Sequence, residues 1–275
     1  MKFHYLSLFL FVFILELSTN IYGVSSPKKS VKPLLPAEAL LSISHYHSTC
    51  PDAEGVISQK VAAWVNKDPT LAPAIIRLHF HDCAVRVRGP FWEVPFGRKD
   101  GKISLTKEAN LVPQGHENIT GLLAFFQERG LDMLDLVTLS GSHTIGRSTC
   151  YSIMNRIYNF NGTGKPDPSL SVYYLKLLRK RCKKDLDLVH LDVITPRTFD
   201  TTYYKNLVRK VGLLSTDQLL FSDARTGPFV EAFATQPFLF DSQFSVSMVK
   251  LGNVQVLTRP NEGEIRVNCN YVNHV

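Results

Sequence analysis

The sequence predicts a mostly α-helical chain with short strands at most. Two observations predict it: apolar residues recur at helical spacing along most of the chain, and few segments alternate with period two. At 275 residues the chain can bury a sizeable core, as one large domain or as two lobes around a cleft.

Taken in order, residues 1–23 read as a secretory signal peptide. Lys2 and His4 precede an apolar run from Leu6 to Ile14, and a polar stretch ends in small residues near Gly23 and Ser25. The apolar run is too short to span a membrane, and no later run approaches the length needed. Residues 24–37, with Pro27, Lys28, Lys29, Lys32, Pro33 and Pro36, read as an extended arm, and residues 38–275 as the folded domain.

Within that domain Val56, Ile57, Val61, Trp64 and Val65 form one helical stripe. Ile119, Leu122, Leu123 and Phe126 form another, closed by Gly130. Ile153, Met154, Ile157 and Tyr158 make a third, and Phe229, Val230 and Phe233 a fourth. Asp200 is placed to cap a helix carrying Tyr203, Tyr204, Leu207, Val208 and Val211, with Gly212 as its stop.

The formal charge is +7 and the pI near 9.1, and removing residues 1–23 takes away Lys2 and Glu16, so the balance is unchanged. No Lys/Arg run exceeds three residues, so nucleic-acid binding is not expected and the charge is read first as keeping the chain soluble. An anionic matrix such as acidic polysaccharide is a candidate partner for a basic secreted protein. The sequons at Asn118 and Asn161 fit passage through a glycosylating compartment. The five cysteines, Cys50, Cys83, Cys150, Cys182 and Cys269, are an odd number, which leaves at least one without an intramolecular partner.

Two histidine stretches carry the chemistry. In Arg77 Leu78 His79 Phe80 His81 Asp82 Cys83, both a strand and a helix are compatible with the preceding Ala72, Ala74, Ile75 and Ile76. On a strand His79 and His81 could share a metal, as in metal-dependent hydrolases, but nothing else supplies the remaining ligands. On a helix Arg77 and His81 lie one turn apart with Phe80 beside them, a base and a fixed cation in one apolar pocket. Such a pair suits peroxide heterolysis, in which imidazole moves a proton between the oxygens and guanidinium stabilises the developing charge. In the second stretch, Ser140 to Gly146, His143 follows the apolar run Leu134 to Leu139 and is expected at a helix end, facing inward. Asp192 to Asp200 by itself reads as a turn and a helix cap.

RLHFHDC, FGRKDG, DLVTLSGSHTIGRSTC, TFDTTYYKNLVRKVGLLSTDQLL and GEIRVNC together resemble the secretory plant (class III) haem peroxidases, from about Tyr46 to Asn273. The resemblance implies a helical fold with two lobes around haem b. It makes His143 the proximal iron ligand and Asp217 the carboxylate that accepts its other ring hydrogen. It makes His81 the distal acid/base, Arg77 the distal arginine, Phe80 the flanking aromatic and Pro113 the proline at the aromatic-substrate mouth. Thr144, Asp192, Thr195, Thr198 (through its carbonyl) and Asp200 match proximal calcium ligands, and Cys150 and Cys182 a family disulfide. The implied activity is reduction of hydrogen peroxide with one-electron oxidation of phenolic donors, by a monomeric glycoprotein of the cell wall, with the vacuole as the alternative.

The chain departs from the family after Val85. Only six residues separate Cys83 from Pro90, and Arg86 Val87 Arg88 runs directly into Gly89 Pro90 where the family carries two further helices, on the order of sixty residues. Asp82 is therefore a remnant of a distal calcium site whose other donors lie in the absent segment, and only the proximal calcium is expected. The asparagine that orients the distal histidine is absent too, which weakens His81 as a base. Cys50, Cys83 and Cys269 lose their partners. Competing readings are a non-catalytic secreted haem or wall-polysaccharide binder and an aberrant splice or gene-prediction product.

Overall fold

A computed structural model describes residues 40–79, 90, 92–105, 107 and 112–273, without the side chains of 76–79. Residues 1–37, with the expected leader and arm, and Phe80, His81, Asp82, Cys83 and the 86–89 junction lie outside the described residues, as does the side chain of Arg77. None of the described helices is long and apolar enough to cross a membrane.

The fold is mostly helical, as the spacing predicts. Among the described residues there are ten α-helices: α1 (Ala53–Lys67), α2 (Leu71–His79), α3 (Ile119–Gln127), α4 (Met133–Ser140), α5 (Met154–Tyr158), α6 (Val172–Arg181), α7 (Thr202–Val208), α8 (Ser215–Ser222), α9 (Gly227–Thr235) and α10 (Pro237–Gly252). The only sheet among these residues pairs β1 (Arg147–Thr149) antiparallel with β2 (Leu188–His190), Ser148 opposite Val189. Residues 71–79 are helical, so the strand alternative does not hold for them.

Two apolar clusters organise the fold. The larger is built from α3, α4 and α7 to α10 with Val61 and Val65 of α1, and centres on Leu136, Val137, Tyr204, Leu207, Val230 and Phe240, each at most 2% exposed. The smaller gathers Ile153, Ile157, Tyr174, Leu178, Val189 and Leu213 around the Cys150–Cys182 disulfide, whose Cα atoms are 5.5 Å apart. The guanidinium of Arg156 pins this second cluster. It donates to Asp167 at 2.8 Å and to the carbonyls of Gly212 and Leu213 at 2.6 and 2.5 Å.

Two expectations are corrected, and one helical stripe is buried only in part. The α1 stripe is buried only at Val61 and Val65, while Val56, Ile57 and Trp64 are 44%, 38% and 56% exposed. A periodic stripe is buried only where a neighbour covers it, and the main helical neighbour of α1 among the described residues is α2. Asp200 sits one residue before the N-cap of α7, although its carboxylate does accept the Thr202 N–H at 2.7 Å. That helix stops at Val208, with Lys210 at φ 59° making the turn. Gly212 is no helix stop; it is a close-approach site, where a Cβ would lie 2.7 Å from the Leu207 side chain.

Candidate functional site

His143 is presented by a 3-10 turn, Gly141–Thr144, that continues directly from α4. Local chemistry holds α4 in place. Asp132 and Asp135 form a reciprocal capping box at its start, with N···O distances of 2.9 Å in both directions. Asp135 also accepts from Ser247 and Lys250 of α10, at 2.7 and 2.8 Å. At the other end a Cβ on Gly141 would stand 2.3 Å from the Tyr204 hydroxyl and 2.6 Å from the Phe240 ring, so only glycine lets the chain turn there. Just past this turn the chain passes from the larger apolar cluster, which holds Leu139 and Ile145, to the smaller one, which holds Cys150.

Asp217 reaches the same place from 74 residues away, third in helix α8. His143 Nδ1 lies 2.8 Å from Asp217 Oδ1. The Tyr203 hydroxyl donates to the same oxygen at 3.0 Å, and the Leu214 N–H donates to Oδ2 at 3.0 Å. Asp217 is 2% exposed, whereas His143 keeps 35% of its side chain exposed.

Burial is the largest influence on both groups and opposes charge on each, yet the pair overcomes it. Asp217 and its hydrogen bond raise the His143 pKa. The His143 charge, with hydrogen bonds from His143, Leu214 and Tyr203, lowers that of Asp217. A carboxylate fixed against Nδ1 dictates the tautomer and leaves Nε2 as the free ligating nitrogen.

The five oxygen donors expected to hold calcium converge beside His143. Thr144 Oγ1 lies 3.4 Å from both the Thr198 carbonyl and Asp200 Oδ1, and Thr195 Oγ1 lies 3.1 Å from Asp200 Oδ1 and 3.4 Å from Asp192 Oδ2. Asp192 is fully buried and its other oxygen is saturated by the N–H groups of Ile194 and Thr195 and by Asn206. Burial, and secondarily the charge of Asp200, push its pKa up. Two carboxylates kept this close, with hydroxyl and carbonyl oxygens around them, fit a hard cation that would relieve their repulsion. Among the described residues no group of three or more His, Cys, Asp or Glu offers a metal site, so a metal here depends on those neutral oxygens.

Pro113 is half-buried and belongs to a turn folded on the Glu117 carboxylate, which accepts the N–H groups of Gln114, Gly115 and His116 at 2.5 to 3.0 Å. Burial opposes charge on Glu117 most strongly, but these bonds still lower its pKa. The Gly115 carbonyl accepts from the Ser215 hydroxyl at 2.9 Å, which ties the turn to the start of α8, two residues before Asp217. Asn118 and Asn161 are exposed, and Asn118 also caps α3 by accepting the Gly121 N–H at 2.8 Å. Cys50 and Cys269 are exposed free thiols.

Sequence reasoning missed Tyr203 and Asn206. Tyr203 reads as one more member of an apolar stripe, and nothing in a helical period says where a hydroxyl points. Asn206 carries no motif signal at all.

A family profile described as Peroxidase matches residues 85–236, a span that holds His143 and Asp217 and starts after Cys83. Peroxidase 7 of Arabidopsis thaliana is 38% identical, over 88% of this chain and 87% of its own length. Peroxidase 72 of the same plant is 36% identical over 83% and 88%, and peroxidase N1 of Nicotiana tabacum 33% over 84% and 90%. The alignment with peroxidase 7 runs for 304 positions but takes in only 88% of 275 residues, so on the order of sixty of its positions have no residue here.

Proposed function

Because this chain belongs to the class III plant peroxidase family, we propose that it is a secreted haem peroxidase that reduces hydrogen peroxide and oxidises phenolic donors one electron at a time. The observation that carries this reading is the 2.8 Å bond between His143 Nδ1 and Asp217 Oδ1, which leaves Nε2 as the nitrogen available to ligate.

Haem b, when bound, supplies the iron that exchanges electrons with peroxide and donor. His143 would hold it through Nε2, and Asp217, by accepting the Nδ1 hydrogen, would give the ring imidazolate character and fix its plane. Thr144, Asp192, Thr195, Thr198 and Asp200 would hold one calcium ion, and because Thr144 is the residue after His143, that ion would brace the turn presenting the ligand. His81 would take a proton from one peroxide oxygen and deliver it to the oxygen that leaves as water. Arg77 stabilises the negative charge that builds on the leaving oxygen, and Phe80 keeps the site apolar. Two phenols approaching past Pro113 each lose one electron and one proton, and two waters form per peroxide.

The short link after Val85 removes the partner that would orient His81, so turnover is slower than in a full-length family member while the His143 side keeps its scaffold. No distal calcium forms on Asp82. Residues 1–23 direct export to the cell wall, with the vacuole as the alternative, and Asn118 and Asn161 carry glycans.

An absorption spectrum of the purified, haem-reconstituted chain before and after peroxide tests the reading. A Soret band that responds to peroxide is expected, lost in His143→Ala and accompanied by roughly 10- to 100-fold weaker haem binding in Asp217→Asn. The absence of any Soret band would sink the proposal. A band that ignores peroxide would make the chain a haem binder without turnover.

A further inference from the structure

We propose that Tyr203 sets how strongly His143 donates to the iron, by sharing the carboxylate oxygen on which His143 depends; the inference rests on His143 being the iron ligand. Asp217 Oδ1 takes two donors at once, His143 Nδ1 at 2.8 Å and the Tyr203 hydroxyl at 3.0 Å. Tyr203 is 1% exposed, so no water competes for its hydroxyl, and its ring stands edge-on to the imidazole with centroids 6.1 Å apart. In its bond to Asp217 the Tyr203 hydroxyl is the donor and the carboxylate oxygen the acceptor.

A carboxylate oxygen that accepts from a second donor has less charge to offer the first. The tyrosine therefore draws Asp217 away from the Nδ1 hydrogen and holds His143 short of full imidazolate character. The opposite effect, that losing the hydroxyl frees the carboxylate to swing away from His143, is blocked by the Leu214 N–H. That backbone group grips Oδ2 at 3.0 Å whatever residue 203 carries. Tyr203 is accordingly a positioning and tuning residue, which acts on the iron only through Asp217 and His143.

The next residue provides the control. Tyr204 lies on the same helix and is equally buried, but its hydroxyl donates to the Val137 and Thr138 carbonyls of α4, at 3.0 and 3.3 Å. Tyr203→Phe and Tyr204→Phe each delete one buried hydroxyl, and only the first touches Asp217.

Two measurements decide the matter. In the haem-free, isotope-labelled chain, the His143 Nδ1 proton resonance moves downfield in Tyr203→Phe, as its bond to Asp217 strengthens, and stays in place in Tyr204→Phe. In the haem-loaded chain the ferric–ferrous midpoint moves to more negative potential in Tyr203→Phe, favouring the ferric form by about threefold, the scale of part of one hydrogen bond. Replacing Tyr203 with the more acidic 3-fluorotyrosine shifts both readouts the other way. Equal behaviour of the two phenylalanine variants, or a shift of opposite sign, overturns the proposal. A downfield proton in a chain that binds no haem overturns the iron assignment, and the tuning of iron with it, while leaving the shared hydrogen bond standing.

Discussion

Replacing Arg156 with methionine tests the link between the smaller apolar cluster and the Asp217 carboxylate. The arginine is 3% exposed, and its removal leaves Asp167, itself 4% exposed, holding a negative charge supported, among the described residues, only by the Ser169 N–H at 2.8 Å. It also strips the Gly212 and Leu213 carbonyls of a donor. An uncompensated buried charge costs about 3–5 kcal/mol, a large share of the roughly 5–15 kcal/mol that holds a domain folded. For a chain of this size that corresponds to a fall in Tm of roughly 10 °C. Urea and thermal unfolding of the haem-free chain, followed by circular dichroism, measure it. The double variant Arg156→Met with Asp167→Leu removes the stranded charge as well, and recovers most of the loss. A functional loss accompanies the single variant, because Gly212 and Leu213 lead directly into Leu214, whose N–H holds Asp217 Oδ2. Haem affinity therefore drops along with stability. A single variant that loses less than about 1 kcal/mol, or a double variant no better than the single, would refute this account of the buried pair.

Gly141→Ala forces a methyl group against the Tyr204 hydroxyl and the Phe240 ring, so it costs about 1–3 kcal/mol by unfolding and shifts the Soret maximum because the His143 turn must move. Chelating calcium from the purified protein lowers its Tm, by the equivalent of about 2.7 kcal/mol if the ion had stood at a hundred times its Kd. Asp200→Asn removes most of that calcium dependence, as thermal scans with and without added calcium show. Burial works against charge on Asp132 but is outweighed by the Asp135 N–H and Lys250, which hold its carboxyl below the usual range. A depressed carboxylate pKa contributes stability that is present above the unfolded value and lost as pH falls through the folded one. Asp132→Asn keeps an N-cap that does not titrate, so the decline in Tm below about pH 4 is shallower than in the parent chain.

Most of the helical skeleton was legible because local periodicity reports which face of a helix is apolar. The stripe at Ile119, Leu122, Leu123 and Phe126 is buried throughout. The α1 stripe shows where that reasoning stops, since period identifies a face that could be buried and says nothing about whether anything lies against it. Helix ends were less legible. Gly212 looked like a terminator, and its real constraint is a contact with Leu207, side-chain packing across a turn that no capping rule contains.

By itself the sequence placed a histidine at a helix end; the downstream carboxylate, the oxygen donors among scattered Thr and Asp residues and the short link after the first histidine motif were expectations drawn from the family resemblance. These follow from residue type and motif, which are local. Only the tertiary structure decided that Asp217 Oδ1 meets His143 Nδ1 across 74 residues, that Thr144 comes beside Asp200 across 56, and that Tyr203 rather than Tyr204 joins the pair. Those meetings depend on how α4, α7 and α8 pack between two apolar clusters. A hydrogen bond made or missed within an ångström is set by that packing, to which adjacent residues in the chain hold no key.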